Sequence, residues 1–136
     1  MIDFTQISEG KTVVAKQILF SEEDIVRFLS VSGGKVSSYT HEDQILETPS
    51  SLMAGKALGT MLRETGIPKG TLHTTQRIEQ FLRVNSGNNL MMEAMVAKNK
   101  KRAGARFLTI EIVLYNLNGE KVLFASSGLI IRSEGL

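Results

Sequence analysis

Apolar residues change their spacing along this chain, and the changes mark out its elements. Thr12 to Ile18 reads as a first strand. Ile25, Phe28 and Leu29 then follow at helical spacing. Phe20, Ser21, Asp24 and Ile25 fall at N′, N-cap, N3 and N4, which predicts a hydrophobic staple and an Asp version of the capping box. Gly33-Gly34 ends this helix, because glycine accepts a positive φ. A polar loop runs from Lys35 to Glu47. Thr48 as N-cap and Pro49 at N1 predict the start of a second helix.

From Leu52 to Leu62 that second helix is apolar on more than one face, as a buried helix is. Gly55 and Gly59 would let one side of it approach another backbone. After Gly70 the period becomes two. Leu90, Met92, Ala94 and Val96 alternate, as do Leu108, Ile110, Ile112 and Leu114, and Lys121 to Ile131 turns apolar on both faces toward its end. Asn118-Gly119 signals a type I′ hairpin, and Lys98 to Gly104 the hairpin before it. With Thr71 to Arg83 these segments predict a long antiparallel sheet. Its apolar face needs a cover, and the buried helix supplies one. The expected class is α+β, a sheet wrapped around a central helix.

Composition narrows the chemistry. The 136 residues form one expected domain, 1–136, and a hydrophobic fraction of 42% supports a packed core. The absence of cysteine removes disulfides, thiolate zinc sites, cysteine nucleophiles and haem attachment. His41 and His73 are too few for a histidine-rich metal centre, so no metal and no resident cofactor are expected. Sixteen basic and 14 acidic residues give a net charge of +2, too balanced for a nucleic-acid binder. Met1-Ile2-Asp3-Phe4 has neither part of a signal peptide, and Leu52 to Leu62, interrupted by Lys56, is too short for a membrane span. A cytoplasmic, soluble protein is the expectation.

Three segments carry a family resemblance: Phe20-Ser21-Glu22-Glu23-Asp24-Ile25, Ser32-Gly33-Gly34-Lys35-Val36-Ser37-Ser38-Tyr39, and Gly119-Glu120-Lys121-Val122. In this order and spacing the chain resembles, over nearly its whole length, the hotdog-fold domains of MaoC-like (R)-specific enoyl-thioester hydratases and dehydratases. In catalytic members an Asp after the first helix and a His five residues later hold the water that adds across a 2-enoyl thioester. The buried helix aims N–H groups at the thioester carbonyl. Here Gly34 stands at the Asp position and Tyr39 at the His position. The resemblance therefore implies the degenerate, non-catalytic half of a double or heteromeric hotdog hydratase, which makes room for the acyl tail. Its ligand would be an acyl thioester of coenzyme A or of an acyl carrier protein. Its partner would be a catalytic hotdog subunit, or a second copy in a homodimer.

Several residues are candidates for that work. Tyr39 and the first turn of the buried helix, Ser50, Ser51 and Leu52, are candidates for substrate binding. His41 with Asp43 could replace the missing acid–base pair, and Glu64 could activate a water; both also read as solvated polar positions. Lys98, Lys100, Lys101 and Arg102, with Arg106 beyond them, could meet the phosphates of coenzyme A or an acidic carrier. The same lysines would also keep a hairpin tip soluble. His73, Arg77 and Glu79 share one strand face with Thr75 and Phe81 and suit a subunit seam. Two rival readings stand beside the non-catalytic one. The first is an active hydratase or thioesterase using His41, Asp43 or Glu64, and the second is a homodimeric scaffold without thioester specificity.

Overall fold

The computed structural model describes residues 4, 6–41, 45–68 and 70–132. Strand β1 (Lys11–Leu19) leads into helix α1 (Glu22–Ser32), a single 3₁₀ turn at Val36–Tyr39 and helix α2 (Ser50–Thr65). Strands β2 (Leu72–Gln80), β3 (Asn89–Arg102), β4 (Ala105–Tyr115) and β5 (Lys121–Arg132) follow. All five strands form one sheet in the order β1-β3-β4-β5-β2, and every pairing is antiparallel.

The sheet closes around α2 because alternation on its strands and all-round apolarity on α2 need the same burial. Leu90, Met92, Ala94 and Val96 of β3 join Leu108, Ile110, Ile112 and Leu114 of β4 in one buried cluster. From α2 the same cluster receives Met53, Ala54, Ala57, Leu58 and Met61. Met53, Met61 and Met92 are fully buried in that core, whereas Met91 lies on the opposite face of β3. Gly55 and Gly59 do not serve a close backbone approach within the described chain. A Cβ at Gly55 would meet nothing, and one at Gly59 only the Arg63 side chain.

At α1 the capping box is present: Asp24 N–H donates to Ser21 Oγ at 3.0 Å, and Ser21 N–H to Asp24 Oδ2 at 3.2 Å. The expected staple does not form. Phe20 is buried in the main core, while Ile25 packs with Leu29 and Leu46 in a second cluster. Gly33 caps the C-terminus at φ 82°. The start of α2 also differs from expectation. Pro49 is the N-cap, with extended backbone angles, and Thr48 makes no capping hydrogen bond. Thr48 N–H instead donates to Val84 O at 2.8 Å, which ties the residue into the β2–β3 connection.

The two β-hairpin turns exchange roles. Asn118 does not take a positive φ; Asn116 Oδ1 accepts from the N–H groups of Asn118 and Glu120, and only Gly119 is left-handed, at φ 78°. A side chain that mimics backbone thus replaces the type I′ turn. The turn with two positive-φ residues is Ala103-Gly104, at 51° and 77°, and β3 continues to it past a bulge between Val96 and Lys98.

A bulge in β2 separates residues that simple alternation would group. Pairing steps from His73↔Leu129 to Thr75↔Gly128, so His73 shares the inner face of buried Leu129. Thr75, Arg77 and Glu79 share the outer face with Gly128, Ser126 and Phe124. Gly128 makes this possible, since a Cβ there would stand 2.5 Å from Thr75 Oγ1.

Candidate functional site

The start of α2 is built from three segments that meet there. Met53 N–H donates to Pro49 O at 3.1 Å, so the free N–H groups of the first turn belong to Ser50, Ser51 and Leu52. Beside them Thr40 bridges Leu46, with Glu47 N–H donating to Tyr39 O at 2.7 Å and His41 N–H to Ile45 O at 2.9 Å. Glu47 in turn bridges Asn85, and Arg83 Nε pairs with Glu47 Oε1 at 2.8 Å. The polar segment before α2 is therefore a short two-stranded arm held against the β2–β3 connection.

Gly34 and Tyr39 lie where α1 meets this arm. Ile25, Leu29 and Leu46 form a small buried cluster, and Phe28, Tyr39 and Leu52 pack on it. A Cβ on Gly34 would come within 2.7 Å of Leu29 Cδ2. The position of a Cβ at the exposed Gly34 is therefore taken by a methyl of Leu29, a residue only 2% exposed. Among the described residues, no carboxylate stands in the place that Gly34 leaves.

Two buried polar atoms near the start of α2, Thr48 Oγ1 and His41 Nε2, have no hydrogen-bond partner among the described residues. Thr48 is 1% exposed. A hydroxyl buried without a partner costs about 1–3 kcal/mol, so it is the kind of group a ligand atom can satisfy. Sequence reasoning missed Thr48 as a site residue because Thr-Pro before an apolar run reads as a helix cap. It missed the Glu47–Arg83 pair because nothing local joins those two positions.

From Ser51 a groove of about 410 Å³ runs between α1 and α2. Phe28, Val31, Leu52 and Gly55 line it, together with Asp24, Arg27 and Lys56. That size lies within the ordinary range of small-molecule sites.

Of the proposed acid–base residues, Glu64 lies far from the start of α2. It sits 14 residues after Ser50 on the same helix, roughly 21 Å away along the axis. Its carboxylate is exposed and pairs with Lys16 at 2.8 Å, and the lysine's hydrogen bond and charge lower its pKa. Asp43 and Glu42 lie outside the described residues. His41 is half-buried in the arm, so of that proposed pair only the histidine is placed. No group of three or more metal-ligating side chains occurs among the described residues.

The basic residues divide between two sheet faces. Lys101 pairs with Arg106 and shares the inner face with Asn99 and Leu108, and Arg106 Nη1 donates to Asn99 Oδ1 at 2.6 Å. Lys98, Lys100 and Arg102 point with Thr109, Phe107 and Ala105 to the outer face. No helix of the described chain is long and apolar enough to cross a membrane.

No protein-family model matches the chain, and no curated protein matches it by sequence. Solved structures do match it in three dimensions. An (R)-hydratase from A. caviae involved in PHA biosynthesis aligns at TM-score 0.71 and 12% identity, over 91% of this chain and 96% of its own. The HadBC complex of Mycobacterium tuberculosis, a 3R-hydroxyacyl-ACP dehydratase, aligns at TM-score 0.69 and 16% identity, over 90% and 98%. The ChsH1-ChsH2 complex of the same organism aligns at 0.70 and 11%, over 92% and 98%. Its five antiparallel strands around α2, and the match to these structures across nearly their full length, give this chain the hotdog fold of the MaoC-like dehydratases and (R)-hydratases.

Proposed function

We propose that this chain is a hotdog subunit that holds an acyl thioester without hydrating it, and that it works beside a second hotdog subunit. The observation that carries this reading is the contact between Gly34 and Leu29. Adding water across a 2-enoyl thioester needs one group to take a proton and another to deliver one. Gly34 has no side chain for this, and a methyl of Leu29 stands where its Cβ would be. Tyr39 packs on the same apolar cluster.

Binding needs less than catalysis does. The free N–H groups of Ser50, Ser51 and Leu52 and the positive end of α2 suit a thioester carbonyl. The Thr48 hydroxyl, without a partner among the described residues, adds one more polar group next to that turn. The groove that opens at Ser51 has the apolar lining and the volume for an acyl tail. Coenzyme A or a carrier protein would bring the thioester.

The pairing surface in this reading is the free edge of β2. That strand is the last in the sheet, nine residues long, and exposed over most of its length. Phe81 and Leu82 follow it with exposures of 51% and 39%. A long, open edge with apolar residues at its end calls for a covering strand. Two of the structural neighbours are complexes of differently named hotdog chains, which is the kind of assembly proposed here.

Calorimetry with a saturated acyl-CoA, run beside a hydration assay with the matching trans-2-enoyl-CoA, tests the reading. Saturable binding with no hydration by the purified chain is expected. Hydration by the chain alone would overturn it in favour of an active enzyme. No binding of either thioester would favour a scaffold.

A further inference from the structure

The outer face of the sheet changes character toward the β3–β4 hairpin. Antiparallel pairing sets its residues in rows. Lys98, Thr109, Gly128 and Thr75 form one row, and Lys100, Phe107, Ile130 and Leu72 form the next. Arg102, Ala105 and Arg132 form the last. None of these rows contains a carboxylate. Farther along, the same face carries Glu93, Glu111 and Glu79, the last paired with Arg77.

The centre of the basic end is hydrocarbon. Phe107 is 37% exposed and Leu72 44%, with half-buried Ile130 between them. Lys98, Lys100 and Arg102 flank this strip on one side, and Arg132 closes its end. Arg102 lies over the Phe107 ring at 5.8 Å, which keeps its guanidinium beside the strip. Lys100 also pairs with Glu9 at 3.1 Å, at the border of the patch.

Lysines that only keep a hairpin tip soluble need no apolar strip between them. An apolar centre rimmed by charge of one sign is the layout of a protein interface. We infer that this end of the outer face docks an acidic protein helix, one that sets carboxylates against Lys98, Lys100, Arg102 and Arg132 and aliphatic side chains against Phe107, Ile130 and Leu72. Single-stranded nucleic acid would need several aromatic platforms, and the patch has one. The inference goes beyond the thioester reading and does not depend on the α2 site.

The test uses an acyl carrier protein without its prosthetic group as the acidic helical probe, so no thioester chemistry enters. Binding at low and physiological salt is compared for the wild type, Arg102→Glu, Phe107→Ser and Lys121→Glu. Lys121→Glu changes the charge equally at the opposite end of the sheet. Melting temperatures confirm that each variant is folded. Expected are saturable, salt-sensitive binding to the wild type, at least tenfold weaker binding to Arg102→Glu and Phe107→Ser, and little change for Lys121→Glu. Equal weakening by Lys121→Glu would reduce the effect to net charge and overturn the inference. So would failure of the carrier to bind, or binding of oligo-uridylate or anionic vesicles in its place.

Discussion

Leu29 Cδ2 stands 2.7 Å from where a Cβ on Gly34 would be, while Gly34 N–H donates to Leu29 O at 3.1 Å. The two residues are fitted to each other through side chain and backbone at once. Glycine at 34 is thus matched to the packing of Leu29. Gly34→Ala should cost about 1–3 kcal/mol of stability by overpacking. In a Leu29→Ala background, which itself costs about 2–5 kcal/mol, the same change should cost little. Urea unfolding of the four proteins in the cycle measures this coupling. Simple additivity would mean that Leu29 moves aside freely.

Thr48→Val should leave stability unchanged or slightly raised, because it removes a buried hydroxyl that has no partner among the described residues. Acyl-CoA affinity should fall by about tenfold, the loss of one neutral hydrogen bond. Thermal melting and calorimetry on the same preparation separate the two effects. A clear loss of stability would show that the hydroxyl serves the fold.

The Asp24 carboxylate is held below the usual aspartate range, first by the Ser21 N–H and then by the Lys56 ammonium at 3.1 Å. A carboxylate whose folded pKa is depressed stabilises the fold above its unfolded value, and this contribution is lost as pH falls through the folded one. Wild-type stability should therefore fall progressively from about pH 4 downward. Asp24→Asn should flatten that part of the curve, as read from melting temperature against pH. Ser21→Ala should cost about 1 kcal/mol at neutral pH through the lost cap.

Phe81→Asp should weaken subunit pairing at least tenfold without unfolding the chain, since Phe81 is exposed next to the free edge of β2. Sedimentation equilibrium of wild type and variant reads the association constant. An unchanged constant would move the seam away from β2.

Much of the fold was legible because period and burial agree. The alternating runs on β3 and β4 and the all-round apolar α2 fit only a sheet closed around a helix. The errors fall where a distant contact or a single inserted residue decides the outcome. Thr48 lies one residue outside the cap, which is Pro49, and its N–H bonds to Val84, a residue far along the chain. His73 changed faces through one bulge residue. Phe20 and Ile25 satisfy a local staple pattern, but separate clusters claim them. That Gly34 and Tyr39 stand where catalytic hotdog hydratases carry an acid–base pair is what the family resemblance of the sequence implies. That a methyl of Leu29 takes the Cβ position, and that the Thr48 hydroxyl has no partner among the described residues, could not be read from the sequence, because both depend on how α1, the arm and α2 meet.

The central claim is that the α2 start holds a thioester and leaves its double bond intact. Titrating isotopically labelled protein with trans-2-enoyl-CoA, and recording amide and ligand proton NMR spectra together, tests both halves at once. The account predicts saturable shifts at the amides of Ser50, Ser51 and Leu52, with the ligand's vinyl protons persisting for hours. Replacement of those vinyl signals by 3-hydroxyacyl signals, or saturation with no change at those three amides, would contradict it.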